Sequence, residues 1–365
     1  MRKGLVVLLF VSWAWVSPSS QAEPISHKRL DKRKWTQVTS PSFEIVSDAK
    51  PKQVLKIAEQ LERFRAFSSL LLGAKNKASS SKARILLTKK RSTWRALGMP
   101  KDLVSYTFGS PVTGTSIIAE MRGFTGESLS KSNTGRATVF RALAFNLLAD
   151  LGLLDAAPQW YRSSLASYLA GYVEHPKAFR IGELEAMGAR LATLYGRQGG
   201  FIPIDIISIM SSSKFRRSMK NEKLSLLKRN RLDSQAYVLL HYFFADNKRR
   251  NQLSAFLDDV ISESTLAQRI EKHFAMSPIG LAEAVKNYTE TSLVVRAYNR
   301  EKVEPMLTLP IEASYELRPL TRADFWGWVY PQLVKLPENM VSYSDKKALY
   351  SEVKMYLPTS DSVLQ

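Results

Sequence analysis

The stretch TVFRALAFNLLADLGLLDAAPQWYRSSLASYLAG, residues 138–171, predicts two helices joined by a short turn. In its first half, apolar side chains recur at i, i+4 and i+8, which is the spacing of a buried helical face: Val139, Leu143 and Leu147. Gly152 ends this helix, and Pro158 opens the second at a position where the missing proline N–H costs no hydrogen bond. We expect this helix pair to lie at the centre of the fold.

The helix pair resembles the active-site helices of gluzincin metallopeptidases, in particular the secreted peptidase MA-like families. These families carry a zinc-binding His-Glu-x-x-His on the first helix and a Trp-x-x-Glu-Gly-x-Ala on the second. The residues of this chain that match the frame are Pro158, Gln159, Trp160, Tyr161, Leu165, Ala166 and Tyr168. The resemblance covers about residues 35–288 and implies a zincin-like fold, in which an edge hairpin lies above the first helix.

The zinc ligands that the resemblance implies are replaced in this chain. Arg141, Ala142 and Phe145 stand where the family has its first His, its Glu and its second His, and Ser163 stands at the third ligand, a Glu. A guanidinium has no lone pair for a metal and a phenyl ring offers no ligand. The pattern therefore predicts a homologue that lacks zinc and is inactive. The alternative is an active metallopeptidase or hydrolase with a rearranged zinc site.

Other residues offer little for a replacement metal site. The chain has no cysteine, and none of its four histidines lies within four residues of another. His241 falls on an apolar helix, which favours a hydrogen-bonded core histidine over a ligand. His175 and the acids Asp150 and Asp155 lie at or beyond the ends of the helix pair. For Arg141, stacking on an aromatic ring is favoured over a cationic anchor for an acidic group or a C-terminal carboxylate.

The N-terminus has the composition of a signal peptide. A basic start and an apolar run are followed by Ser20-Gln21-Ala22, which predicts cleavage after Ala22. Removing residues 1–22, with Arg2 and Lys3, lowers the formal net charge from +20 to +18. We expect a periplasmic or secreted protein, since a cysteine-free exported chain suits a bacterial periplasm.

The order of predicted elements indicates an α+β fold. A small mixed sheet with an edge hairpin, in an N-terminal subdomain at 41–130, precedes a mainly helical subdomain at 131–290. Strands are expected at 43–47 and 84–88, and the hairpin at 104–121. Residues 23–40 read as a basic lead-in that is poorly ordered up to Trp35, and 291–365 as a Pro-punctuated C-terminal appendage.

These patterns favour a non-catalytic binding protein. The hairpin at 104–121 would hold a peptide or protein by strand addition, over a cleft lined by Arg141, Phe145, Trp160, Tyr161, Ser163 and Tyr237. The basic segment at 214–231 would bind an anionic envelope component, or contact a membrane peripherally. A further alternative makes this basic surface the only functional one. The segment has no nucleic-acid motif and little aromatic interleaving, so no nucleic acid is expected.

Overall fold

The computed structural model describes residues 24–75, 79, 81–101, 103–111, 114–121, 124, 135–183, 192–196, 200–221, 223–259, 264–291, 293–311, 314–338 and 340–357. Contacts divide the chain into two compact units. The first comprises residues 1–129, 133–147 and 307–365, and the second comprises 130–132 and 148–306. The predicted signal peptide, 1–22, lies outside the described residues.

A six-stranded mixed sheet organises the first unit. Its strands are β1 (Trp35–Thr39), β2 (Phe43–Ser47), β3 (Ala83–Thr88), β4 (Ser105–Ser110), β5 (Gly114–Glu120) and β9 (Glu316–Leu320). They lie in the order β4-β5-β3-β2-β1-β9. The β2–β3 and β3–β5 pairs are parallel, whereas β1–β2, β1–β9 and β4–β5 are antiparallel. The expected α+β class and the edge hairpin are therefore confirmed.

Helices cover both faces of this sheet. On one face lie α2 (Pro51–Leu71) and α4 (Gly135–Asp150), where the rings of Phe64 and Phe140 meet edge to face at 4.6 Å. The other face carries α1 (His27–Asp31), α3 (Arg91–Ala96), α14 (Arg322–Leu333) and α15 (Tyr343–Val353). Side chains that alternate along the strands supply this second core, among them Val46, Leu86 and Ile118.

The basic lead-in is ordered, contrary to expectation. Residues 27–31 form α1. Strand β1 begins at Trp35 and lies within the sheet, between β2 and β9. Leu30 and Trp35 are buried, and the Trp35 indole stacks on Phe325 at 4.1 Å. The Trp35 Nε1 also donates to the Leu30 carbonyl at 3.1 Å. Two apolar anchors thus order a segment whose charges alone suggest a solvated arm.

The C-terminal residues differ from the expected appendage. Residues 307–365 belong to the first unit, where β9 pairs with β1 and α14 contributes Phe325, Trp326, Val329 and Tyr330 to the core. The aromatic run FWGWVY, residues 325–330, therefore lies in a core helix. Local patterns cannot reveal the pairing, since it joins strands that are far apart in the chain.

The second unit is mainly helical. It contains α5 (Leu153–Ala156), α6 (Gln159–Ala170), α7 (Ile206–Met210), α8 (Ser212–Lys220), α9 (Leu226–Phe244), α10 (Asn247–Asp258), α11 (Leu266–Phe274), α12 (Pro278–Thr291) and α13 (Arg300–Val303). A small antiparallel sheet joins β6 (Val173–Glu174), β7 (Ala178–Ile181) and β8 (Arg296–Asn299). The predicted helix pair at 138–171 is confirmed as α4 and α6, with the short α5 between them.

Candidate functional site

Helix α4 lies along the β4–β5 hairpin. At its start, a Cβ on Gly135 would lie 2.4 Å from the Glu120 carbonyl oxygen and 3.1 Å from that of Val104, so the backbones touch there. Near its other end, the Thr115 hydroxyl donates to Asn146 Oδ1 at 2.7 Å. The intervening helix rises about 16 Å and the strand about 16 Å. The helix therefore runs antiparallel to β5 over the whole strand.

The outer side of β4 is an open sheet edge. The Glu120 N–H donates to the Val104 carbonyl at 2.8 Å, which makes this a hydrogen-bonded pair of the antiparallel ladder. Such pairs alternate, so the backbone groups of Ser105, Thr107 and Gly109 point away from β5. Within the described part of the chain, no strand pairs with this side.

The residues of β4 do nothing to block a further strand. Its sequence, SYTFGS, contains neither proline nor a charged side chain. Thr115 faces α4, because its hydroxyl bonds Asn146. Ile117, two residues along β5, points to the same face, and so does Thr107, which is paired with Ile117. Its hydroxyl is buried and lacks a hydrogen-bond partner among the described residues. This leaves a polar atom beside the open edge.

Two of the three predicted residues on α4 lie on a half-buried stripe of the helix. Thr138, Arg141 and Phe145, each one turn apart or nearly so, are half-buried, whereas Ala142 is buried. The Arg141 guanidinium lies 5.4 Å from the centroid of the Phe145 ring, a cation–π distance. The interpretation that Arg141 stacks on an aromatic ring is therefore confirmed. This stripe of α4 therefore carries one cationic side chain, Arg141, and one aromatic ring, Phe145.

The predicted residues of the second unit meet at the packing of α6 on α9. The Ser163 hydroxyl donates to Asp233 Oδ1 at 2.7 Å, with Ser163 8% and Asp233 3% exposed. Tyr237 follows Asp233 by one helical turn on α9 and is buried. Sequence reasoning missed Asp233 as the partner of Ser163. A carboxylate inside the apolar run LDSQAYVLLHYFF was the available signal.

Two aromatic side chains of α6 complete the predicted set. Trp160 is buried and packs edge to face on Tyr161, with ring centroids 5.9 Å apart. Burial raises the pKa of Tyr161 to about 12, so this phenol stays neutral. Arg141 and Phe145 belong to the first unit, whereas Trp160, Tyr161, Ser163 and Tyr237 belong to the second.

These residues do not fit the zinc ion that the resemblance implies. The guanidinium at the first ligand position stacks on the phenyl ring at the second, and neither group donates a lone pair to a metal. At the third position, the Ser163 hydroxyl is already committed to Asp233. Among the residues that the structure describes, no three His, Cys, Asp or Glu side chains gather in a metal-binding group.

His241 is a hydrogen-bonded core residue, as predicted. It is 1% exposed, with Nε2 at 3.1 Å from the Gly182 carbonyl and Nδ1 at 2.7 Å from the Tyr288 hydroxyl. Nε2 must carry the proton because a carbonyl only accepts, so Nδ1 accepts from the tyrosine. Burial lowers the pKa of His241, which favours this neutral form. His175, which was also considered for a replacement metal site, contacts Arg180 through Nε2 at 3.2 Å.

Comparison with protein-family models, with curated proteins and with solved structures finds no match. The resemblance to peptidase MA-like families therefore depends on the sequence pattern alone. Across the described residues, no helix is both long and apolar enough to cross a bilayer.

Proposed function

We propose that this chain is a non-catalytic, exported binding protein that holds an extended peptide segment by strand addition to β4. The observation that carries the proposal is the open, uncharged edge of β4 beside α4. Unpaired backbone groups on an edge strand are a template for another strand. Peptide recognition by strand addition uses such groups for affinity and side-chain contacts for specificity.

The surroundings of β4 suit an extended ligand. Outward N–H and C=O groups recur at every second residue of β4, which matches the period of a bound strand. Arg141 on α4 stacks on Phe145 through the face of its guanidinium, and in this proposal the N–H groups at the edge of the guanidinium also pair with an acidic side chain or with the C-terminal carboxylate of the peptide. Phe145 adds an apolar ring beside this charge. We infer a preference for peptides that carry a carboxylate.

The non-catalytic part of the proposal follows from the residues at the family's zinc positions. Arg141, Ala142, Phe145 and Ser163 supply neither a metal ligand set nor a general base. In this proposal the protein retains a peptidase MA-like frame and the β4 edge that binds a peptide, but it does not hydrolyse the peptide. Export is part of the proposal because of the signal-like residues 1–22.

The proposal is tested by removing one outward N–H. Thr107→Pro deletes a donor that β5 does not use and places a ring against an incoming strand, while Thr107→Val keeps the N–H. Heptapeptides selected on the wild-type protein from a random phage-displayed pool, then synthesised with a fluorescent label, serve as probes in anisotropy titrations. We expect Thr107→Pro to weaken binding at least about tenfold and Thr107→Val to change it less than about threefold.

Two results would overturn the proposal. Selection that enriches no peptide, or peptides that bind Thr107→Pro as tightly as the wild type, would remove strand addition at β4. About one tightly held zinc ion per chain in metal analysis, together with proteolysis that a chelator abolishes, would instead establish the active metallopeptidase alternative.

A further inference from the structure

The second unit carries a basic helix whose charges face solvent. Helix α8 buries Phe215 and Met219, one turn apart, and these two side chains fix its orientation. Ser213, Arg216, Arg217 and Lys220 follow the i, i+3, i+4, i+7 spacing of the opposite face and are exposed. The same residues, with Asn221, line a shallow groove.

Further cations extend this surface beyond the helix. Lys214 on α8, Lys223 in the connecting turn and Lys228 on the first turn of α9 are also exposed. We call these six cations of residues 214–228 the basic surface: Lys214, Arg216, Arg217, Lys220, Lys223 and Lys228. None of them forms a side-chain ion pair with another described residue. Residues 214–228 hold these six cations and one acid, Glu222, so the segment carries a formal net charge of +5.

A group of like charges on one helix favours an anionic partner. The helix is nine residues long and spans about 13 Å, so its four cations lie within about one Debye length of each other. Their mutual repulsion disfavours the folded state, and an external anionic surface relieves it. Arginine forks bind phosphate oxygens through two parallel hydrogen bonds, which suits the two guanidinium groups of the groove.

An apolar side chain next to the cations indicates the kind of partner. Leu227 is 52% exposed on the first turn of α9, directly before Lys228. Clusters of four to eight Lys or Arg on a helix are typical of binding to anionic lipid headgroups. A leucine beside them adds insertion at the boundary between headgroups and acyl chains. A soluble polyanion offers no apolar phase for this leucine.

We propose that the basic surface docks the protein on a bilayer that contains anionic phospholipids, with the groove of α8 holding headgroup phosphates and Leu227 entering the interface. This contact is peripheral and reversible, and salt weakens it. The inference does not depend on the peptide proposal, because it uses residues of the second unit alone.

Vesicle co-sedimentation of the full chain tests the docking. Vesicles of phosphatidylglycerol and phosphatidylcholine in about a 1:2 ratio are compared with phosphatidylcholine alone. We expect binding to the anionic vesicles only. Arg216→Glu with Arg217→Glu should weaken it at least about tenfold, since two attractive charges become repulsive. The control, Lys52→Glu with Lys56→Glu, makes the same change of charge on exposed lysines of α2 and should alter binding less than about threefold.

Further variants separate the bilayer from other anions. Arg216→Lys with Arg217→Lys keeps the charge and should retain binding within about threefold, while Leu227→Ser should weaken it without altering the salt dependence. Equal binding to both vesicle types, or equal losses in the α2 and α8 charge-reversal pairs, would overturn the proposal. So would tight binding of soluble polyphosphate by a protein that ignores anionic vesicles, which would assign the surface to a polyanion.

Discussion

The two edges of the sheet are built differently. The β9 edge carries Glu316, Arg318 and Pro319 and is largely exposed, whereas the β4 edge has neither charge nor proline. Charges and proline on an edge strand are the means by which proteins prevent further pairing. We therefore call β9 the closed edge and β4 the open edge, and we assign binding to β4.

The largest effect is expected where the closed edge meets the core. Trp326 of α14 is 0% exposed, and its Nε1 donates to Asp31 Oδ1 at 2.7 Å. Trp326→Ala should lower the free energy of unfolding by about 3–5 kcal/mol, because it leaves a cavity and a carboxylate short of a donor. Urea unfolding measures this loss. A loss below about 1 kcal/mol would mean that the packing of α14 contributes little to the stability of the first unit.

On the open edge, a proline should destabilise the fold less at position 107 than at position 106. Tyr106 and Thr107 are neighbours on β4 and both half-buried, but only the Tyr106 N–H faces β5. Tyr106→Pro should cost about 1–3 kcal/mol more than Thr107→Pro, since it breaks the ladder. Thermal or urea unfolding of the two variants makes the comparison. Equal costs would contradict the assignment of outward groups.

Opening the closed edge should create a new association. Pro319→Val restores a backbone N–H on β9 and adds a β-branched residue with high strand propensity. We expect the variant to self-associate with rising concentration in analytical ultracentrifugation, with monomer stability within about 0.5 kcal/mol of the wild type. Leu317→Val, which keeps the proline, is the control. If both variants remain monomeric, Pro319 does not prevent strand pairing at β9.

The smallest effect concerns the pH dependence of the closed edge. The Thr321 hydroxyl and N–H, with Arg318, hold the pKa of Asp324 below its ordinary 3.8. The unfolded chain then binds the proton more readily, so this stabilisation is present above pH 3.8 and is lost as the pH falls through the folded pKa. Asp324→Asn should flatten the decline in stability below about pH 5, measured by urea unfolding. Thr107→Val on β4, which has no carboxylate, should leave that decline unchanged.

Local patterns in the sequence predicted much of the fold. The helix pair, the hairpin and strand β3 were predicted because helical spacing, alternation and glycine or proline boundaries act over short distances. The pairing of β1 with β9 was missed because it joins residues such as Gln37 and Arg318, which no local pattern connects. The sequence thus located the open edge and not the closed one.

For the site, sequence reasoning identified side chains better than their partners. The stacking of Arg141 and the core role of His241 follow from residue type and helical position, and both were predicted. The bond between Ser163 and Asp233 was not, because it depends on how α6 packs on α9. Packing of this kind is set by tertiary structure and leaves only a weak trace in the sequence, here one acid in an apolar run.

The central claim is that β4 accepts a strand, and amide hydrogen exchange tests it most directly. Exchange is followed residue by residue, by NMR, with and without a peptide selected on the wild-type protein. Strand addition predicts that the N–H groups of Thr107 and its outward neighbours on β4 gain protection, while those of Tyr106 and Phe108, already bonded to β5, change little. Protection confined to β9, or spread evenly along β4 without alternation, would contradict the claim.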